Sequence, residues 1–549
     1  MVDQTDTAGN PHSYSTFIGL LYVFNLIVGT GALALPRAFQ TAGYALSVVM
    51  LMLSAFASYV SATFIVECLS IANALLKSKP SMQRQNSSTA TRELSSSEES
   101  LIALPSSSRR SNFDITRRLE VSELATMFLG RIGVFFTYLA LTVYLFGDLA
   151  IYSTTVPKSL MNVICSSVNA TLVHKDVLCH PGDYQHFTRF FVYRICVVAF
   201  ASLCLPMVLV GMTKTKYLQL ATTLSRWSAF TLMIALASIQ LIQKGPQAAP
   251  PAVELRGFGS LFGVAVYAFM CHHSIPGLIT PMRNKQFVNY RLIFVYATIF
   301  LFYCTLSITG SFAFPVVQDV YTLNFLHDDQ TGWFYIIFDY FLALFPVFTL
   351  TSSYIIVAIT LTNNVRVLIS MLQSAFASTT TSFLPNQNVE RESDTLLTSS
   401  SEDDLQSDNR HERLDDRHLE NSSTASSPPS PVNISQVPVH IYAPTLAQRL
   451  KKDLVLPAFV ILLPTTLSFF TDNVLLLASI TGSYPGVAVQ FMIPAILTIG
   501  GRSYLKKTLR IDVPKQNASP FTHWMWPWVV IGWAMFAIIV VSTNILHLG

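Results

Sequence analysis

The stretch Asn25-Leu26-Ile27-Val28-Gly29-Thr30-Gly31-Ala32-Leu33-Ala34-Leu35-Pro36 decides the fold. It lies in an apolar run, 14–36, long enough to cross a hydrocarbon core about 30 Å thick, which takes roughly 20 residues. Two glycines one residue apart stand near its middle, where a helix interior gains nothing from them. Gly-x-Gly lets a helix unwind. Backbone unwound at that depth exposes amide donors and carbonyl acceptors, and it survives only beside a cavity that a polar ligand or ion fills. The same pair also suits a contact between helices through small residues, and the motif alone leaves both readings open.

The sixth apolar run offers a partner. It carries Gly257-Phe258-Gly259 near one end and Val266-Tyr267-Ala268-Phe269-Met270-Cys271-His272-His273-Ser274-Ile275-Pro276-Gly277 at mid-depth. Pro276 lacks the amide that would continue the hydrogen-bond ladder, so a second break is expected there. Interrupted helices at corresponding places of two five-helix halves point to a transporter built as an inverted repeat around a central site. The halves show no sequence similarity, so the repeat is read from position alone.

Working outward, 51% of the 549 residues are apolar and 12% charged, against about 25% charged in a soluble domain. Windows of about 19 residues give an all-α integral membrane protein with eleven spans. These are 14–36, 43–71, 133–156, 189–211, 217–243, 258–281, 290–314, 333–361, 453–470, 474–499 and 524–546. The first run lacks the basic start and small-residue cleavage site of a signal peptide. A tail, 1–13, precedes helices one to eight in 14–362, and helices nine to eleven occupy 453–549. With the N-terminus cytosolic, Lys and Arg in the connections favour the cytosolic side by roughly five to one, which puts the C-terminus outside. The basic residues are spread among loops, so the net charge of +4 does not suggest nucleic acid.

Two cytosolic inserts, 77–118 and 363–452, are polar and poor in aromatics; neither is expected to fold. The second contains Glu392-Ser393-Asp394-Thr395-Leu396-Leu397, which fits an acidic-dileucine pattern read by endosomal and lysosomal sorting adaptors or is simply linker; lysosomal, endosomal and plasma membranes all stay open. On the outer side, Asn169-Ala170-Thr171 is a glycan acceptor, and Cys165 and Cys179 can form a disulfide in an oxidising compartment.

Val28-Gly29-Thr30-Gly31-Ala32-Leu33-Ala34-Leu35-Pro36, the eleven-helix profile and Tyr267-Ala268-Phe269-x-x-His272 resemble the amino acid/auxin permease superfamily, within it the sodium-coupled neutral amino acid transporter branch. The presence of two long cytosolic inserts suggests the transmembrane protein 104 family, while the resemblance itself covers nearly all the membrane part and none of the inserts. The resemblance implies the LeuT-type fold of five plus five helices, with helices one and six broken around an amino acid. Amides of Gly29, Thr30 and Gly31 would then hold its carboxylate. Carbonyls among Phe269, Met270, Cys271 and His272 would accept from its amino group. A sodium ion would lie between Asn25 and Val28 on helix one and Thr351 and Ser352 on helix eight, although serine and threonine also serve as packing groups. Tyr144, Phe269 and Phe348 are expected around the side chain of a small or medium neutral amino acid.

Two features weigh on the coupling ion. Ala32 replaces the asparagine of a second sodium site, and Arg226 in the fifth span either occupies the remaining site as a permanent cation or snorkels to the interface. Asp148 and Asp339, with Glu67, are intramembrane acids that either pair structurally or carry a coupling proton. His272 and His273 point about 100° apart on a helix and do not chelate one metal, while His272 can sense pH. No cofactor beyond sodium or a proton is expected. Hydrolase motifs such as Gly-x-Ser-x-Gly and His-Glu-x-x-His are absent, so an enzyme is not expected. The rival reading is a transporter-shaped sensor that reports amino acid occupancy through its cytosolic loops.

Overall fold

The computed structural model describes residues 14–89, 113–165, 177–180, 187–210, 216–326, 333–380 and 446–548. Asn169 and Glu392–Leu397 lie outside them. Contacts divide the chain into a unit made of 1–368 with 453–549 and a second unit, 369–452. The contacts and the cavity described below belong to the first.

Among the described residues there is no strand; helices follow one another throughout. They are α1 (Thr16–Ile27), α2 (Thr30–Ala42), α3 (Tyr44–Thr89), α4 (Val121–Phe128), α5 (Arg131–Ile164), α6 (Arg189–Val210), α7 (Lys216–Lys244), α8 (Phe258–Ala268) and α9 (Ile275–Ile279). Then come α10 (Val288–Ala313), α11 (Trp333–Thr380), α12 (Leu446–Phe470), α13 (Val474–Thr481), α14 (Ile493–Thr508) and α15 (Met525–Leu548). Eight helical stretches are long and apolar enough to cross a bilayer, and nine if α1 and α2, bent by 53°, are one span. The shorter apolar helices Leu255–Ala268 and Leu454–Phe470 fall at the two remaining expected positions. Between α13 and α14 two π turns, Gly482–Gly486 and Ala488–Met492, carry Pro485 without ending the span.

The centre is formed by α2 and α8, both buried almost throughout; α8 is apolar on every side, whereas α2 carries Arg37, Gln40 and Thr41 where it is only half-buried. They touch through Gly31, where an added Cβ would stand 2.5 Å from the Cα of Ala268. The outer helices send large apolar side chains outward, among them Phe294 and Leu301 of α10, Leu462 of α12 and Phe536 of α15, as a lipid-facing surface requires. A buried ion pair ties α3 to α14: Arg502 Nε and Nη2 donate to Glu67 at 2.6 and 2.9 Å, and the Ser519 amide donates to the same carboxylate at 2.8 Å. Glu67 therefore has a structural partner, and it is not Arg226.

The first insert is shorter than its composition suggests. Helix α3 continues to Thr89, and Phe113, Ile115 and Leu119 are buried. Asn73 Oδ1 accepts the amides of Thr116 and Arg117 at 3.1 and 2.8 Å, and Ser70 donates to the Phe113 carbonyl at 2.7 Å. The alternate apolar residues Phe113, Ile115 and Leu119 carry this packing, a signal that the average over the serine-rich segment hides. The second insert is likewise narrowed, because α11 runs to Thr380 and α12 begins at Leu446. Cys165 and Cys179 form the expected disulfide, packed beside Tyr193 and Val197, while Cys68, Cys196, Cys204, Cys271 and Cys304 are free and buried.

Candidate functional site

Helix α1 stops at Ile27, and the Val28 amide closes its last turn on the Phe24 carbonyl at 3.0 Å. The chain then passes through Gly29 and restarts as α2. As the first donors of a new helix, the amides of Gly29, Thr30 and Gly31 meet no acceptor among the described residues. Helix α8 ends in the same layer with two tight turns, Phe269 to Val266 and Met270 to Tyr267, both 3.2 Å. The Cys271 carbonyl accepts from Ser274 and Ile275, which starts α9, whereas the carbonyls of Phe269, Met270 and His272 accept nothing among the described residues. Two breaks at one depth thus present free donors from one chain segment and free acceptors from another.

Tyrosines bind the breaks together. The Tyr303 hydroxyl lies 2.9 Å from the Ile27 carbonyl and 3.0 Å from that of Ala268, and the Thr30 and Tyr267 hydroxyls are 2.9 Å apart. Beside them opens a cavity of about 470 Å³. Gly29, Thr30, Gly31, Tyr144, Met270, Asp148 and Arg226 line it. Its mouth is framed by Arg118 and Glu120, both exposed.

Several expected residues lie elsewhere. Phe269 is buried behind the break against the rings of Tyr296 and Tyr303; Cys271 faces the Tyr296 hydroxyl at 3.2 Å. His272 turns away, its Nε2 on the Ser58 carbonyl at 3.0 Å, and it is His273 that lines the cavity, against the Tyr144 ring. Phe348 is 64% exposed on the outer surface and takes no part. Asp339 is buried but does not line the cavity.

Three of the expected sodium ligands make other bonds. The Asn25 backbone carbonyl receives Arg226 Nη1 at 2.5 Å, and the Asn25 side-chain Nδ2 donates to the Thr223 hydroxyl at 2.9 Å. Thr351 and Ser352 donate to Val347 and Thr349 of their own helix at 2.5 and 2.9 Å. A guanidinium against the carbonyl end of α1 matches the negative pole of that half-helix.

Spacing held signals that reading single residues missed. Tyr144, Asp148 and Tyr152 recur every four residues on α5 and all line the cavity. On α11 the lining residues are Leu350, Ser353, Ile356, Val357, Thr360 and Asn364, one face of the helix that leaves out Thr351 and Ser352.

Residues 12–545 match the family described as transmembrane amino acid transporter protein. The chain belongs to that family. Its relatives include the transmembrane protein 104 homologs of Caenorhabditis briggsae and Caenorhabditis elegans, each 47% identical over 99% of both chains. Transmembrane protein 104 of Homo sapiens is 34% identical over 97% of both. Family membership accounts for the all-helical, multi-pass architecture and for the reach of the resemblance through the inserts.

Proposed function

We propose that the chain is a secondary transporter of amino acids that works by alternating access around this cavity. The observation that carries the reading is the pairing of free amides at Gly29, Thr30 and Gly31 with free carbonyls at Phe269, Met270 and His272, a donor pole and an acceptor pole suited to a zwitterion. With the N-terminus cytosolic, the mouth at Arg118 and Glu120 faces the cytosol, the disulfide lies on the oxidising side, and the form described is inward-facing.

Transport in this reading does not depend on sodium. Arg226 keeps its charge in a protein and holds the Asn25 carbonyl that a sodium ion would need. The test is a panel of labelled amino acids in proteoliposomes under imposed sodium or proton gradients. At least one amino acid is taken up, at a rate unchanged when choline replaces sodium, and Arg226→Ala either abolishes uptake or makes it respond to sodium. Sodium-independent uptake at the wild-type rate in that variant removes Arg226 from the site, and no uptake of any amino acid overturns the transporter reading.

A sensor is the second reading. It is favoured by the packed segment Phe113–Glu120, which joins the end of the first insert to the cavity mouth through Arg118 and Glu120. Amino acid binding without uptake in the same preparation selects it.

A further inference from the structure

We propose that the ligand of the central cavity carries a second positive charge, so that the preferred substrate is a basic amino acid with Asp148 as the counter-ion of its side chain. This rests on the amino acid reading of the cavity and goes beyond it. Asp148 is 5% exposed, lines the cavity, and its Oδ1 is buried with no hydrogen-bond partner. Two other acids of the first unit are neutralised inside the fold, buried Glu67 by Arg502 and half-buried Asp319 by Lys158 at 2.8 Å. Asp148 has no such cation among the described residues. Arg226, which lines the same cavity, is committed to the Asn25 carbonyl; Tyr152 faces both it and Asp148.

The remaining neighbours are dipoles. The Tyr144 and Tyr267 hydroxyls flank Asp148, and Tyr267 also meets Thr30 at the start of α2. His273 lines the same wall with a buried Nδ1 that has no partner. No group of three metal-ligating side chains occurs among the described residues. A lone carboxylate at this depth is expensive unless a cation meets it, and the break already supplies a donor pole for the α-carboxylate and carbonyls for the α-ammonium. What is left for Asp148 is the ammonium or guanidinium of a side chain. The volume of about 470 Å³ lies within the range of small-molecule sites, about 300–1,000 Å³.

The experiment compares L-lysine with L-norleucine, which lacks the terminal ammonium, by equilibrium binding to the purified full chain and by uptake in proteoliposomes. Lysine should bind at least about tenfold more tightly, the scale of one charge-assisted hydrogen bond. Asp148→Asn should remove that preference while norleucine binding persists, and Asp148→Glu should restore part of it. Equal affinity of the wild-type chain for both ligands overturns the proposal, and this arm needs no variant to fold. An equal loss of both ligands in Asp148→Asn also overturns it, placing the carboxylate on the α-ammonium or on a transported proton. Lysine binding that depends on Asp148 without uptake upholds the proposal and overturns the transporter reading. Norleucine uptake equal to lysine uptake does the reverse.

Discussion

Gly31→Ala is expected to lower transport by about two orders of magnitude, the effect of misplacing reacting or binding groups by about 1 Å. The added methyl would lie 2.5 Å from the Ala268 Cα and 2.9 Å from its amide nitrogen, both backbone atoms that no rotamer change can move. Helices α2 and α8 must separate, and the amides at Thr30 and Gly31 shift away from the carbonyls that follow Ala268. Gly532→Ala is the matched control, because nothing lies within 4 Å of its added methyl. Uptake by Gly31→Ala at the rate of Gly532→Ala would mean that the close approach of the two breaks is not needed.

The second large effect is on stability. Glu67→Ala removes the acceptor of two guanidinium bonds and of the Ser519 amide, and it leaves Arg502 to the carbonyls of Phe521 and Thr522 alone. Stranding one half of a buried pair costs about 3–5 kcal/mol, whereas replacing both halves with apolar groups of similar size is often neutral. Glu67→Ala should therefore melt well below the wild type, and Glu67→Leu with Arg502→Met should recover most of the loss. A Glu67→Ala melting curve that overlays the wild type would show that the pair contributes nothing.

Hydropathy carries the positions and lengths of the apolar runs, and Gly29, Gly31 and Pro276 mark both breaks. The rotation of each helix about its axis is a different matter. Lipid and protein core are equally apolar, so Phe345, 3% exposed, and Phe348, 64% exposed, look alike in the sequence although one is buried and the other is not. The same ambiguity exchanged His272 for His273 and placed Thr351 and Ser352 beside a site that their hydroxyls do not face. Polar spacing on an apolar helix is the better guide, as Tyr144, Asp148 and Tyr152 on α5 illustrate. Long-range partners were beyond reach for another reason: the pairing of Glu67 with Arg502 spans 435 positions and depends on which helices become neighbours.

The central claim is that an amino acid occupies the cavity between the two breaks. Ser353 lines that cavity, and the five free cysteines of the chain are buried, so Ser353→Cys gives one accessible thiol in a quiet background. Alkylation of this thiol should proceed readily in the purified chain and slow by about tenfold at saturating concentrations of an amino acid that the liposomes take up, as one bound ligand excluding the reagent requires. Alkylation at the same rate with and without every transported amino acid would contradict the claim.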